Sequence, residues 1–191
     1  MIKGSLPRRT SLCVLAFAAI LPTSLSARSS LTLEAKQFPA RILATHNAER
    51  TALGLAPLVW DDKLGVQAAQ YAFQLAMSRR FAHSERSSRG ATGENLWMGT
   101  RRAFSVETMV ANWASEKQLF KPGIFPAISR TGSWHQVGHY TQMVWPATRR
   151  VGCALASNAG EDYLVCRYFP AGNVHGEALQ ARPRFASYRA R

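Results

Sequence analysis

The sequence predicts a mixed α+β domain, and three observations carry that expectation. Apolar residues recur at steps of three and four within 39–53, 61–80 and 105–116, the spacing of helices that bury one face. Two strand-like runs, VGCALA (151–156) and YLVCRYF (163–169), flank the turn-forming string SNAGED, the pattern of a hairpin. The chain has 191 residues, enough for one domain that buries roughly 70% of its unfolded surface.

Residues 1–27 stand apart from this pattern. Lys3, Arg8 and Arg9 come first, LCVLAFAAILP follows as a short apolar run, and TSLSA closes with small residues. That is the layout of a secretory signal peptide cleaved after Ala27. Residues 28–37 read as a flexible lead-in. A helix then begins at Pro39, with Ile42, Leu43, His46, Arg50 and Leu53 in its period and Gly54 as a stop. Asp61 or Asp62 caps a second helix, whose inner face carries Leu64, Ala68, Tyr71 and Leu75 and which ends near Arg79-Arg80.

Residues 84–103 are rich in Ser, Gly and Arg and read as a long loop. A third helix starts after Ser105, with Val106, Met109, Val110 and Trp113 as its stripe. Glu116 falls on the same apolar side, which is costly for a carboxylate unless it is paired. Residues 121–137 form a second loop. The string GHYTQMVW (138–145) stays open. As a strand it puts His139, Thr141, Met143 and Trp145 on one face; as a short helix it sets His139 beside Gln142 and Met143.

A hairpin centred on SNAGED pairs Ala156 with Tyr163 and, three places outward, Cys153 with Cys166. Removing the signal leaves these as the two cysteines of an exported chain, so a bridge is expected. A closed loop of about 14 residues is worth roughly 3 kcal/mol in the chain-entropy model. Residues 177–191 form a basic C-terminal tail.

Net charge is +13 for the whole chain and falls by three without the signal. Such a charge suits a nucleic acid, an anionic lipid surface or an acidic glycan. The arginines are scattered as pairs, however, and no nucleic-acid motif is present, so a solvated basic surface is expected and a nucleic-acid partner is not. After the first 27 residues no apolar stretch is long enough for a transmembrane segment.

No G-x-S-x-G, phosphate loop, HExxH or metal-type cysteine pair appears. What remains is a set of polar residues in apolar company: His83, Glu94, Glu116 and His139. Five strings carry them in order with their neighbours: HNAER (46–50), GENL (93–96), WASEK (113–117), GHYTQMVW (138–145) and CRYFPAGNV (166–174). On these strings the chain resembles the CAP superfamily over about residues 38–176. That superfamily comprises cysteine-rich secretory proteins, antigen 5 and plant pathogenesis-related class 1 proteins.

The resemblance implies a three-layer α-β-α sandwich with a small antiparallel sheet between helical layers. It makes 138–145 mostly a short helix leading into VGCALA. It also implies a cleft lined by His83, Glu94, Glu116 and His139. The two histidines would ligate a divalent cation, usually zinc, and the glutamates would act through water or by orienting the ligands. Neutral imidazoles suit zinc, and two protein ligands leave positions open. By the same resemblance His46, Asn47 and Arg50 are structural, Asn95 and Gln142 support the cleft backbone, and Gly172 and Asn173 form a turn of unusual backbone angles. Plant members usually carry six cysteines, so the single bridge here shifts more of the stability onto the core.

The functional expectation is a secreted, monomeric binding module, extracellular or periplasmic. Its ligand would be a lipid, a sterol or another extracellular ligand such as a cell-surface component. The alternative is a metal-dependent hydrolase or protease, in which a metal-bound water beside Glu94 or Glu116 attacks a carbonyl.

Overall fold

A computed structural model describes residues 23–179, with side chains described from Lys36 onward. The chain divides after Ala35 into two compact units, and the architecture below is that of the second. Most of the expected signal segment and nearly all of the basic tail lie outside the described residues.

Helix α1 runs Thr23–Ala52 and contains Pro39. It therefore includes residues 28–37, read from the sequence as a flexible lead-in, and does not start at Pro39. Proline commonly opens a helix, which is why it reads as a start, but it removes only one intrahelical bond. The anchoring comes further along, where Ile42, His46 and Arg50 are fully buried.

The two-residue strand β1 (Val59–Trp60) leads into helix α2 (Asp62–Ser78). Asp61 caps α2 by accepting the Lys63 and Leu64 amides at 2.9 and 3.1 Å. Arg79, at φ 51°, turns the chain out of it in the left-handed region. A short turn of helix, α3 (Arg86–Arg89), precedes strand β2 (Gly93–Thr100). The sequence pattern reads 84–103 as loop, whereas β2 occupies Gly93–Thr100. The strand was hidden because its first five residues, Gly93–Trp97, are all buried and show no alternation. Helix α4 (Val106–Ser115) is capped by Ser105, as expected. A two-residue strand β3 (Gly123–Ile124) lies in the second expected loop. GHYTQMVW forms the short helix α5 (Gly138–Met143).

Strands β4 (Arg150–Ser157) and β5 (Glu161–Phe169) make the expected hairpin, pairing Ala156 with Tyr163 and Cys153 with Cys166. The two cysteines are disulfide-bonded. The main sheet has the order β1-β4-β5-β2, antiparallel except for the short parallel pair β1–β4. The chain then closes a second, two-stranded sheet by pairing β6 (Ala178–Leu179) with β3, so the pairing extends beyond residue 176.

The layers follow from the period-two alternation of β5. Tyr163 and Val165 face α2, where Ala68, Ala72 and Ala76 at steps of four let the helix lie close on the sheet. Leu164, Cys166 and Tyr168 face the opposite core, built with Ile42, Val110, Trp113 and Met143 from α1, α4 and α5. One helix covers one face of the sheet and three cover the other, which gives the α-β-α sandwich. Among the described residues no helix is long and apolar enough to cross a membrane.

The α2–β4 approach is set by Gly152. A Cβ there would sit 2.2 Å from the Gly65 nitrogen and 2.4 Å from the Asp61 oxygen, both backbone atoms that cannot swing aside. Gly152→Ala is therefore expected to lower stability by about 1–3 kcal/mol in urea titrations. Gly160→Ala, with nothing within 4 Å, should stay within about 0.5 kcal/mol of the parent.

Candidate functional site

The site is positioned from behind by a row of buried polar residues on α1. Asn47 closes two bonds with one backbone residue, accepting the Leu58 amide at 2.7 Å and donating to the Leu58 carbonyl at 3.0 Å. Arg50 is fully buried and gives all its bonds to carbonyl oxygens: Ala56 from Nε, Met143 and Trp145 from one terminal nitrogen, Thr148 from the other, at 2.8–3.0 Å. Burial, helped by the Arg149 charge, brings its pKa down to about 10, so it remains a cation at neutral pH. It thereby holds the C-terminal end of α5 and the turn into β4.

His46 completes the row. Its Nδ1 is 2.8 Å from the Ile42 carbonyl, so it donates there, and Nε2 accepts from the Tyr168 hydroxyl at 2.8 Å. Burial lowers the His46 pKa to about 4; the Ile42 carbonyl opposes the shift and the Arg50 charge adds to it. Asn95 Nδ2 then donates to the Tyr168 oxygen at 3.2 Å and to the His139 carbonyl at 3.1 Å. A chain of hydrogen bonds thus runs from α1 through β5 and β2 to α5.

At the start of α5, Glu116 performs two tasks. It follows α4 in a turn of 3-10 helix, and one carboxylate oxygen accepts the His139 and Tyr140 amides at 2.9 and 3.1 Å. These are among the orphan donors of a helix N-terminus, where negative charge is favoured. The other oxygen lies 2.6 Å from His139 Nδ1. The His139 ring also stacks on Trp113, with centroids 6.0 Å apart and planes 15° apart.

Glu94 is held differently. Its side chain has no exposure, whereas the His83 ring is about half exposed at 53%. One oxygen accepts from His83 Nδ1 at 2.6 Å, the Ser84 amide at 3.0 Å and Arg89 at 3.1 Å. The other accepts the Ser84 hydroxyl at 2.8 Å and faces Arg167 at 3.0 Å. Burial pushes this carboxyl up, but the His83 N–H, the Arg167 charge and Ser84 outweigh it and hold it below the ordinary carboxylate range.

His83, Glu94, Asn95, His139 and Gln142 line one cleft of about 310 Å³. Glu116 stands behind the His139 ring rather than in the wall. His46, Asn47 and Arg50 are remote from the opening and brace it. Gln142 accepts the Gly172 amide at 2.9 Å and donates to the Thr148 hydroxyl at 3.3 Å. Of the expected turn, Asn173 has the positive φ, 55°, but Gly172 does not. Glycine is needed at 172 for room, since a Cβ would meet Trp145 at 2.8 Å and Gln142 at 2.9 Å. Pattern reading missed Trp113 as a ring support and Ser84, Arg89 and Arg167 as partners of Glu94. Arg167 could have been found, because it continues the Tyr163–Val165 face of β5 and a charge there needs a partner.

Each Nδ1 lies against a carboxylate, so in the neutral ring the proton sits on Nδ1 and the lone pair on Nε2. Among the described residues no group of three or more His, Cys, Asp or Glu is arranged to hold a metal ion. The donor set is thus two oriented imidazoles, which fits a cation that completes its shell with water or ligand.

A sandwich of this order with two histidine–carboxylate pairs at one cleft defines a class of protein, and sequence comparison agrees. The model of the cysteine-rich secretory protein family, CAP, matches residues 43–168. The chain belongs to that family and is a CAP-domain protein of the pathogenesis-related 1 type. It is 35% identical over 155 residues to pathogenesis-related protein PR-1 of Medicago truncatula, covering 76% of this chain and 81% of that one. It is 37% identical over 145 residues to human Golgi-associated plant pathogenesis-related protein 1, covering 75% and 90%. Among solved structures, that of NaASP2 with Zn2+ superposes with a TM-score of 0.60 at 26% identity, covering 76% of this chain and 85% of that one.

Two stability outcomes follow. Arg50→Met leaves four carbonyls without their donor and should cost at least about 3 kcal/mol in urea unfolding, with Arg50→Lys recovering only part. His46 has a folded pKa of about 4 against 6.5 unfolded, so its contribution is complete above pH 6.5 and is lost as pH falls toward 4. Unfolding free energy measured across that window should decline, and the decline should flatten in His46→Gln.

Proposed function

We propose that this chain is an exported CAP-domain binding protein whose cleft holds a divalent cation, zinc, between His83 and His139. The observation that carries this reading is the pairing of both Nδ1 atoms with carboxylates, which leaves Nε2 as the available nitrogen on two rings that line one cleft. Carboxylates fix the tautomer and raise the basicity of zinc-ligating histidines in this way. The related structure with Zn2+ supports the choice of metal. A bound cation would supply a Lewis-acidic anchor for an anionic or carbonyl group of the ligand. The protein's own part is to hold the two rings: Glu116 and Trp113 orient His139, and Glu94 orients His83.

The lipid or sterol expected by resemblance finds its contact area outside this polar cleft. Val66, Phe73 and Met77 are exposed on α2 at steps of seven and four and so share one face. Export to an extracellular or periplasmic compartment rests on the N-terminal segment and agrees with the Cys153–Cys166 bridge. Binding is favoured over hydrolysis by the state of the carboxylates. Glu94 accepts at both oxygens, and Glu116 accepts from two backbone amides and a ring nitrogen, so both are engaged in holding the imidazoles.

Calorimetric titration of the full chain with zinc at neutral pH should show one site of micromolar affinity or better. That site should disappear in His83→Ala/His139→Ala and weaken about 10–100-fold in Glu116→Gln. No zinc binding, or equal binding by the double variant, overturns the metal reading.

A further inference from the structure

A second and larger cavity, about 620 Å³, shares His83 and Arg89 with the cleft and otherwise has its own walls. One wall is a row of amides on α2. Gln67, Gln70 and Gln74 follow steps of three and four and are exposed, so they present one polar edge along the groove. Each amide offers both donors and an acceptor, the combination that reads hydroxyl groups.

Facing this row are three guanidiniums, Arg80, Arg89 and Arg167. The acidic groups near them are Glu85, which is exposed, and Glu94, whose oxygens are already engaged by His83, Ser84 and these arginines. Donors therefore outnumber acceptors. Arg89 and Arg167 each retain a buried Nε without a hydrogen-bond partner, and Arg167 is only 5% exposed. Both nitrogens are closed off from the groove, so a ligand there meets the charge of these guanidiniums rather than the two Nε atoms themselves.

The groove also holds a fixed aromatic surface. The Tyr71 hydroxyl donates to the Ala82 carbonyl at 2.6 Å, and the Arg167 guanidinium lies 5.3 Å from its ring centroid. Apart from Tyr71, Leu75 and Ala82 the lining is polar or charged, so a hydrocarbon ligand has little to bury against. A ligand with several hydroxyls and a carboxylate matches every feature. Guanidiniums take the carboxylate, since their planar fork suits that group, and the amides take the hydroxyls.

We propose that this groove is a binding site for an acidic carbohydrate, a uronic-acid oligomer, adjoining the cation cleft at His83 and Arg89. It does not rest on the metal reading, and its test uses no metal. The probe is trigalacturonate, titrated calorimetrically into the full chain at low salt, with maltotriose as the neutral control and inorganic phosphate as competitor. Trigalacturonate is expected to bind at least about tenfold more tightly than maltotriose, and phosphate to compete poorly. Gln70→Ala/Gln74→Ala and Arg80→Gln, all at exposed positions, should each weaken binding by about tenfold while circular dichroism shows an unchanged fold. His139→Ala should leave the affinity within about twofold. No binding at millimolar probe, equal binding of maltotriose, full competition by phosphate, indifference to the groove variants, or loss in His139→Ala each overturns the proposal.

Discussion

A buried guanidinium that binds only carbonyl oxygens sets the geometry of this fold. Arg50 reaches from α1 to Met143, Trp145 and Thr148, and so ties the first helix to the end of α5 and the approach to β4. Removing a cation from water is costly, and here the carbonyl dipoles at the end of a short helix offset that cost. The arrangement works only if those four oxygens converge. Convergence requires α5 to end where it does, the turn after it to hold its shape, and Gln142 to meet Gly172. A single side chain on α1 therefore constrains both the nearby Ala56 turn and the distant 143–148 stretch.

The cleft inherits this constraint. His46 and Asn47 lie on the same stretch of α1, and His46 passes the restraint to Tyr168, Asn95 and the His139 backbone. At the front, the two imidazoles are held by carboxylates in contrasting settings. Glu116 is a cap whose charge faces a helix start. Glu94 is a buried anion neutralised by two arginines and hydrogen-bonded by Ser84 and His83. In both cases the carboxylate selects the tautomer of the neutral ring, with the proton on Nδ1, and that choice decides what the cleft can hold.

Much of this was visible in the sequence where one physical signal dominated. Helices α2 and α4 were read correctly because Asp61 and Ser105 cap them and their apolar faces keep one period. The hairpin register followed from the position of SNAGED. Strand β2 was not visible. Gly93 and Gly99 break its pattern, and they are glycines because a Cβ would meet Gln142 at 2.0 Å and the Trp97 ring at 2.3 Å. Strand β6 is two residues long, too short to carry a period. The four cleft residues stood out as charges in apolar strings, and resemblance grouped them. The distinct duties of the two glutamates depend on which amides and guanidiniums the fold brings near, and no local pattern encodes that.

The central claim is that carboxylates hold His83 and His139 with Nδ1 protonated and Nε2 bare. Nitrogen-15 NMR of the neutral histidine rings in the metal-free full chain, at the alkaline end of their titration, reads this directly. Both rings should show a protonated Nδ1 and an unprotonated Nε2, and zinc should perturb the Nε2 resonances. Protonation at Nε2 of either ring before metal is added, or a zinc shift confined to Nδ1, would contradict it.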